Sequence, residues 1–520
     1  MTLQSKSLFP MKIMGVGSLA MSLFGAAACS DNPEHIVHKR AAGQSGSAAD
    51  QLSTDVLTGA KSGPRGPADA APAKSAATPE SLSCEVPKSN IRRLTAFEYN
   101  NTVRDVFGDD SKPGNDLPAE VIGNGFGNEA ATLATSSLLV ERYAGIAEKV
   151  AARVVSDAKL WDALHPCVQT VSAATETACL SEIIMTLAEK AFRKSKEDLA
   201  PSIAALQELY KTLRKDHTFK ESVGGVIEGI LQSSEFLYRP EVGAAVSGKT
   251  ERPVTGDEMA TRLSYFFWGS APDTALRAAA KEGKLATPEG IRAQAERLLA
   301  DPRARAMLRN FFDQYLPLTG LAGAVRDPSL FPTFSGNIGR LMREEAHRFL
   351  EHVIFEGGGD WPSALTAPYT MANKELAEFY GLPSTNLGND FVRVPLDTSK
   401  RLGLLTLGGV MAGTTHSTHT NPVKRGAFIL EKLLCIEVPF PTGDIAAQIT
   451  PPKSTSAPTG RERFSQHSSD PACASCHKML DPVGFTFENY DAVGLFRAQE
   501  NGVTIDASGG IPGGAKVNDA

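Results

Sequence analysis

The sequence predicts a mainly α protein, with several helical bundle units in series and a small block around a Cys-x-x-Cys-His motif near the C-terminus. Three observations carry this. Apolar residues recur at helical spacing through most of the body, period-two alternation is scarce, and no βαβ rhythm or phosphate-binding loop occurs. Hydrophobic residues make up 42% and charged residues 22% of the 520, so the chain can bury cores, and its length argues for about three to five folded units. A formal net charge of −6 argues against a nucleic-acid binder that works through a basic surface.

Residues 1–28 read as an export signal. Lys6 and Lys12 give a basic start, Ile13 to Ala28 carries no charge, and Gly25-Ala26-Ala27-Ala28 supplies small residues before Cys29. This run is short for a transmembrane helix. A cysteine directly behind small residues resembles a bacterial lipidation site, although Ala26 stands where a leucine is usual. Cys29 is therefore the expected lipid anchor of a periplasmic, outer-membrane or cell-surface lipoprotein, held to the membrane without spanning it. Ordinary signal cleavage leaving a free Cys29 is the alternative. Residues 29–87 are rich in Ala, Ser, Gly and Pro and nearly free of aromatics, the composition of a disordered linker.

The first helical domain spans 88–160. Thr95 and Glu98 form a capping box, Gly108 supplies the stop, and Phe97, Val103, Val106 and Phe107 give the apolar stripe. A second helix follows at about 136–155. The second domain, 161–246, has helical patterns at 177–194, 201–215 and 219–236. In the third, 250–385, Thr255 and Glu258 box the helix 256–268, and Thr287-Pro288 starts one running to about 300. Amphipathic segments 301–316 and 338–356 complete it. The fourth domain spans 396–500, and 501–520 read as the start of a further, shortened domain. Turn residues cluster at 246–253, 357–360 and 439–458.

Cys473-Ala474-Ser475-Cys476-His477 has the spacing of a c-type haem attachment site. Two thiols must add to two vinyl groups on one ring edge, and the adjacent imidazole must reach the iron as the proximal ligand. Export agrees with this, because such attachment takes place outside the cytoplasm. The expected cofactor is one haem c in a cytochrome c-like block. A disulfide between Cys473 and Cys476 in an oxidising compartment, or half a zinc site, are the other readings. Phe485, Phe487, Tyr490 and Phe496 could cover a porphyrin or build a small apolar core. His416, His419 and Met411 are the candidates for a distal ligand; ordinary loop histidines and an open, five-coordinate iron are the alternatives. Glu344, His347 and Glu351, with Glu345 and His352 beside them, look like half of a carboxylate di-iron site, but a solvated helix face with i,i+4 pairs is the expected reading.

Several motifs together resemble exported, planctomycete-type cytochrome-like proteins built from serial domains of unknown function. They are Arg92-Arg93-Leu94-Thr95 with Glu98-Tyr99-Asn100-Asn101-Thr102-Val103-Arg104-Asp105; Ala191-Phe192-Arg193; Arg262-Leu263-Ser264-Tyr265-Phe266-Phe267-Trp268; Tyr369-Thr370-Met371-Ala372-Asn373 with Tyr380-Gly381; Pro422-Val423-Lys424-Arg425-Gly426; and, after the CxxCH, Asp481-Pro482-Val483-Gly484-Phe485 with Glu488-Asn489-Tyr490-Asp491. The resemblance covers about 90–510. It sharpens architecture more than activity. Leu480 stands where the family commonly has methionine, with Met479 one position earlier.

Export also gives uses to the remaining thiols. Cys167 and Cys179 flank a loop before a helix, a natural disulfide, and Cys84 and Cys435 are left as the last pair, a connectivity that sequence does not fix. The expected function is electron transfer at the cell envelope, to a partner protein or as the haem half of a redox enzyme. A haem-free envelope binding or scaffold protein and a peroxidase-like haem enzyme are the alternatives.

Overall fold

The computed structural model describes residues 89–123, 125–438, 458–469, 471–514 and 516–520. The expected export signal, Cys29, the expected linker, Cys84 and most of the 439–458 turn cluster lie outside the described residues. The chain divides into two units, Met1–Ser89 and Asn90–Ala520. The second is mainly helical, as the periodicity predicts, and no helix among the described residues is long and apolar enough to cross a membrane.

A short ribbon holds the first two expected domains together: β1 (Arg92–Arg93) pairs antiparallel with β2 (Tyr238–Arg239). Helix α1 (Ala96–Phe107) starts on the Thr95–Glu98 box and ends at Gly108, whose φ of 77° needs a residue without a Cβ. It is followed by α2 (Ser137–Ser156), α3 (Glu176–Phe192), α4 (Ala200–Leu213) and α5 (Phe219–Gln232). The expected helix 219–236 breaks at Ser233, whose hydroxyl accepts from the Glu235 amide and caps a new turn at Ser234–Leu237. Tyr99 and Val103 from α1, Val150 from α2, Ile183 and Leu187 from α3, Leu206 from α4 and Ile230 from α5 close one core. Each such buried aliphatic contributes about 1.5–3 kcal/mol. The core therefore crosses the sequence boundary at 160.

Next come α6 (Gly256–Trp268), α7 (Pro288–Ala300) and α8 (Arg303–Tyr315). They share a smaller cluster around Trp268, Leu276 and Leu298, in which the indole N–H donates to Leu298 O at 2.9 Å. Helix α9 (Gly336–Glu351) loosens into a π turn at His352–Glu356, and β3 (Tyr369–Ala372) pairs antiparallel with β4 (Val392–Pro395).

The last part holds α10 (Pro422–Phe428), α11 (Gly460–Ser469) and α12 (Pro471–Phe485), the CxxCH helix. Met342 and Phe349 of α9 share a third core with Leu430, and with Leu480 and Val483 of α12, so this core too crosses a sequence boundary.

Candidate functional site

Cys473, Cys476 and His477 lie on α12 at i, i+3 and i+4, which puts all three on one helix face. Close packing against α10 fixes that helix. A Cβ on Gly426 would collide with Leu480 O, and one on Gly484 with Pro422 O; glycine at both places lets the two backbones meet. Leu480 and Val483 point into the core, while Cys476 and Met479 pack at its edge. Cys473 is half-buried.

The His477 ring is oriented from behind. Its Nδ1 lies 2.9 Å from Asp481 Oδ1, one turn further along α12. A carboxylate only accepts, so Nδ1 carries the proton and donates, and in the neutral ring the lone pair is on Nε2. Two thiols a turn apart on one face, beside an imidazole whose ligating nitrogen is set, fit the demands of covalent haem attachment.

The turn after α12 is held by a buried cation. The Arg425 guanidinium donates to Phe487 O at 2.7 Å, Tyr490 O at 2.9 Å and Asp491 O at 3.1 Å. Glu488 lies 3.5 Å from it and accepts from Thr420 at 2.8 Å. Burial pulls Arg425 down to about 10 and pushes Glu488 above the usual carboxylate range, while each partner works against the other's shift. Arg425 stays charged at neutral pH. Phe487 and Tyr490 are part of the apolar core and Phe496 packs against it, so these aromatics build core; Phe485 is buried under the Arg461 guanidinium.

The structure places the three distal candidates in two settings. His416 and His419 face each other with ring centroids 4.7 Å apart, and His416 Nε2 accepts from the Asn421 amide at 2.8 Å. Burial holds both rings below the usual histidine range, helped at His416 by Lys424 and Arg326, and at His419 by His416 and Arg463. Met411 is buried on the short helix Gly408–Gly413, which packs on α9.

The face carrying Glu344, His347 and Glu351 is not solvated, contrary to expectation. It packs on α8, a neighbour that nothing local in the chain announces. His347 Nε2 lies 2.8 Å from Asp313, Arg343 donates to Asp313 at 2.7 Å, and Arg309 bridges Glu344 and Glu351. A cleft of about 480 Å³ opens there, lined by Phe97, Arg309, Asp313, Arg343 and His347 among others. Burial would lower His347, but its bonds to Asp313 and Glu344 outweigh that and raise it. The His347 ring is engaged by Asp313 at Nε2 and faces Glu344 at Nδ1, and this network reads as structural. Glu345, on the opposite side of α9, accepts from the Thr370 and Tyr380 hydroxyls, and burial pushes its carboxyl up to about 7.

Cys167 and Cys179 form a disulfide with Cα atoms 5.5 Å apart, which ties the turn Pro166–Gln169 to α3. That commits the sulfur of the cluster His165, Cys167 and Glu182, so these three do not offer a metal site. Cys435 is an exposed thiol that forms no disulfide with a described residue.

Asp481 has a place in the site that sequence reasoning missed. The signal was there: a carboxylate four residues after His477 on a helix. Several other motif residues act as pins between segments. Arg193 donates to Phe236 O at 3.1 Å and Tyr238 O at 2.8 Å, Arg239 pairs with Glu98 at 2.8 Å, and the Thr102 and Tyr265 hydroxyls meet at 2.9 Å.

Four family models match the chain in separate segments. Residues 92–156 match PSD3, described as a protein of unknown function (DUF1587), and 179–241 match PSD5 (DUF1595). Residues 254–382 match PSD4 (DUF1592), and 401–500 match PSCyt3 (DUF1588), both likewise of unknown function. No curated protein and no solved structure matches. Four segments of the chain are thus similar, in the order DUF1587, DUF1595, DUF1592 and DUF1588, to families of unknown function.

Proposed function

We propose that this is an exported haem protein of the cell envelope, anchored through lipid on Cys29 and serving electron transfer to a partner protein. The observation that carries the reading is the single face of α12 presenting Cys473, Cys476 and a His477 ring whose Nδ1 is already engaged. Cys473 and Cys476 would hold the haem through thioethers, and His477 Nε2 would be the proximal ligand. The bound haem would supply a one-electron couple. The name of the model matching 401–500, PSCyt3, is cytochrome-like and agrees with this. Arg425, by clamping the turn after α12, keeps the helix in register with the core beneath it.

The test is a haem stain on a denaturing gel, with a pyridine haemochrome spectrum, on protein matured in a host competent for cytochrome assembly. Wild type should stain, and the double variant Cys473→Ser/Cys476→Ser should not. An unstained wild type would instead favour the haem-free scaffold with these thiols in a disulfide. One observation favours a second reading, peroxide chemistry at an open iron: a carboxylate behind the proximal imidazole raises its basicity. Rapid carbon monoxide binding to the ferrous protein would support it.

A further inference from the structure

We infer that Asp481 is a positioning residue for His477, which holds the ring with its proton on Nδ1 and lowers the reduction potential of a haem held on α12; this deepens the reading above and rests on it. A second histidine–carboxylate pair in the molecule sets the scale. His352 and Glu356 have the same i,i+4 spacing and the same 2.9 Å separation, but the Glu356 side chain is 56% exposed. Such a surface pair adds a little to helix stability and carries a small desolvation cost. The Asp481 side chain is only 3% exposed. At that depth water screens the bond between Asp481 and His477 far less than it screens the surface pair.

The carboxylate is also preorganised. Leu480 and Val483 on either side are sunk in the core, and the backbone crossing at Gly484 and Pro422 locks the segment's height against α10. The oxygen bonded to Nδ1 therefore sits on a closely packed part of α12, and ligand orientation is set by such supporting groups.

The charge has a defined consequence. A carboxylate bonded to Nδ1–H gives the ring partial imidazolate character, which stabilises the ferric more than the ferrous state. Each tenfold preference for the ferric form lowers a one-electron potential by about 59 mV.

The experiment is a spectroelectrochemical titration of wild type, Asp481→Asn and Asp481→Glu, each matured with haem and matched for covalent haem by pyridine haemochrome. Asn is isosteric and still accepts from Nδ1, so it removes the charge while keeping the hydrogen bond. Its potential should rise by about 59 mV, one tenfold change in relative affinity. The Glu variant restores the charge and should return toward the wild-type value, an effect that a purely structural role would not produce. Equal potentials in all three proteins overturn this inference alone. Absence of covalent haem from the wild type overturns the functional reading, and this inference with it.

Discussion

Replacing Glu345 by Gln should stabilise the protein at alkaline pH and do little near pH 4. Glu345 is buried on α9, its two oxygens accept from Thr370 and Tyr380, and burial outweighs those bonds and nearby Arg401 to raise its carboxyl to about 7. An unfolded carboxyl titrates near its ordinary 4.5. Between these two values the folded chain keeps a proton that the unfolded chain has lost, so stability falls as pH rises through this window. It levels off above the folded value. The shift of about 2.5 units at 1.36 kcal/mol each corresponds to about 3 kcal/mol once the carboxyl is fully ionised. Gln presents one oxygen and one NH2 to the same two hydroxyls, so it replaces the neutral acid without a charge to bury. Urea midpoints by circular dichroism, at pH 5 and pH 8, give the comparison. The variant should gain about 2–3 kcal/mol on wild type across that interval. A difference between the two proteins that does not change with pH would refute the reasoning, because it would mean that Glu345 titrates alike folded and unfolded.

Packing sets three further outcomes. Arg425→Met leaves the Phe487, Tyr490 and Asp491 carbonyls without their donor and Glu488 with only the more distant Arg497, and should cost about 3–5 kcal/mol by urea midpoints; adding Glu488→Leu should recover only the carboxylate's share of that. Gly484→Ala drives a methyl into a backbone carbonyl that cannot swing aside and should lose about 1–3 kcal/mol; Gly145→Ala, in open space on α2, should gain about 0.5–1 kcal/mol, so melting temperatures move in opposite directions. Removing the bridge with Cys167→Ser/Cys179→Ser should cost about 2–4 kcal/mol, and reductant should then change the wild-type melting temperature but not that of the variant.

What was legible in the sequence was local. Capping boxes at Thr95 and Thr255, the Thr287-Pro288 start and the Gly108 stop are written within four residues of the helix ends they set, and the structure places the ends there. The motif Cys473-x-x-Cys476-His477 is local as well, and a helix is enough to bring its three side chains onto one face. Partners distant in sequence were not legible. The acidic face of α9 looked solvated because its partners Arg309 and Asp313 stand more than thirty positions earlier, on α8. A comparable distance separates Arg425 from its carbonyls at 487–491, and Arg193 from those at 236 and 238.

That pattern bears on what the serial families are. The family segments end near 156, 241 and 382, yet one core runs from Leu94 to Ala271 and another from Phe312 to Tyr490. The sequence units are therefore not the physical ones. Tyr265, at the start of the third segment, lies in the core of the first two, and its hydroxyl meets Thr102 of the first. Met342 and Phe349 of the third segment share a core with Leu480 and Val483 of the fourth. A segment cut out at its sequence boundary would expose the apolar face that its neighbour covers, and a core of that size is worth many times the few kcal/mol by which a domain is stable. Serial order in the chain is then a matter of packing: the CxxCH helix is seated on a core that the third segment half builds, so the fourth segment needs the third for the helix that carries its thiols to be held in place.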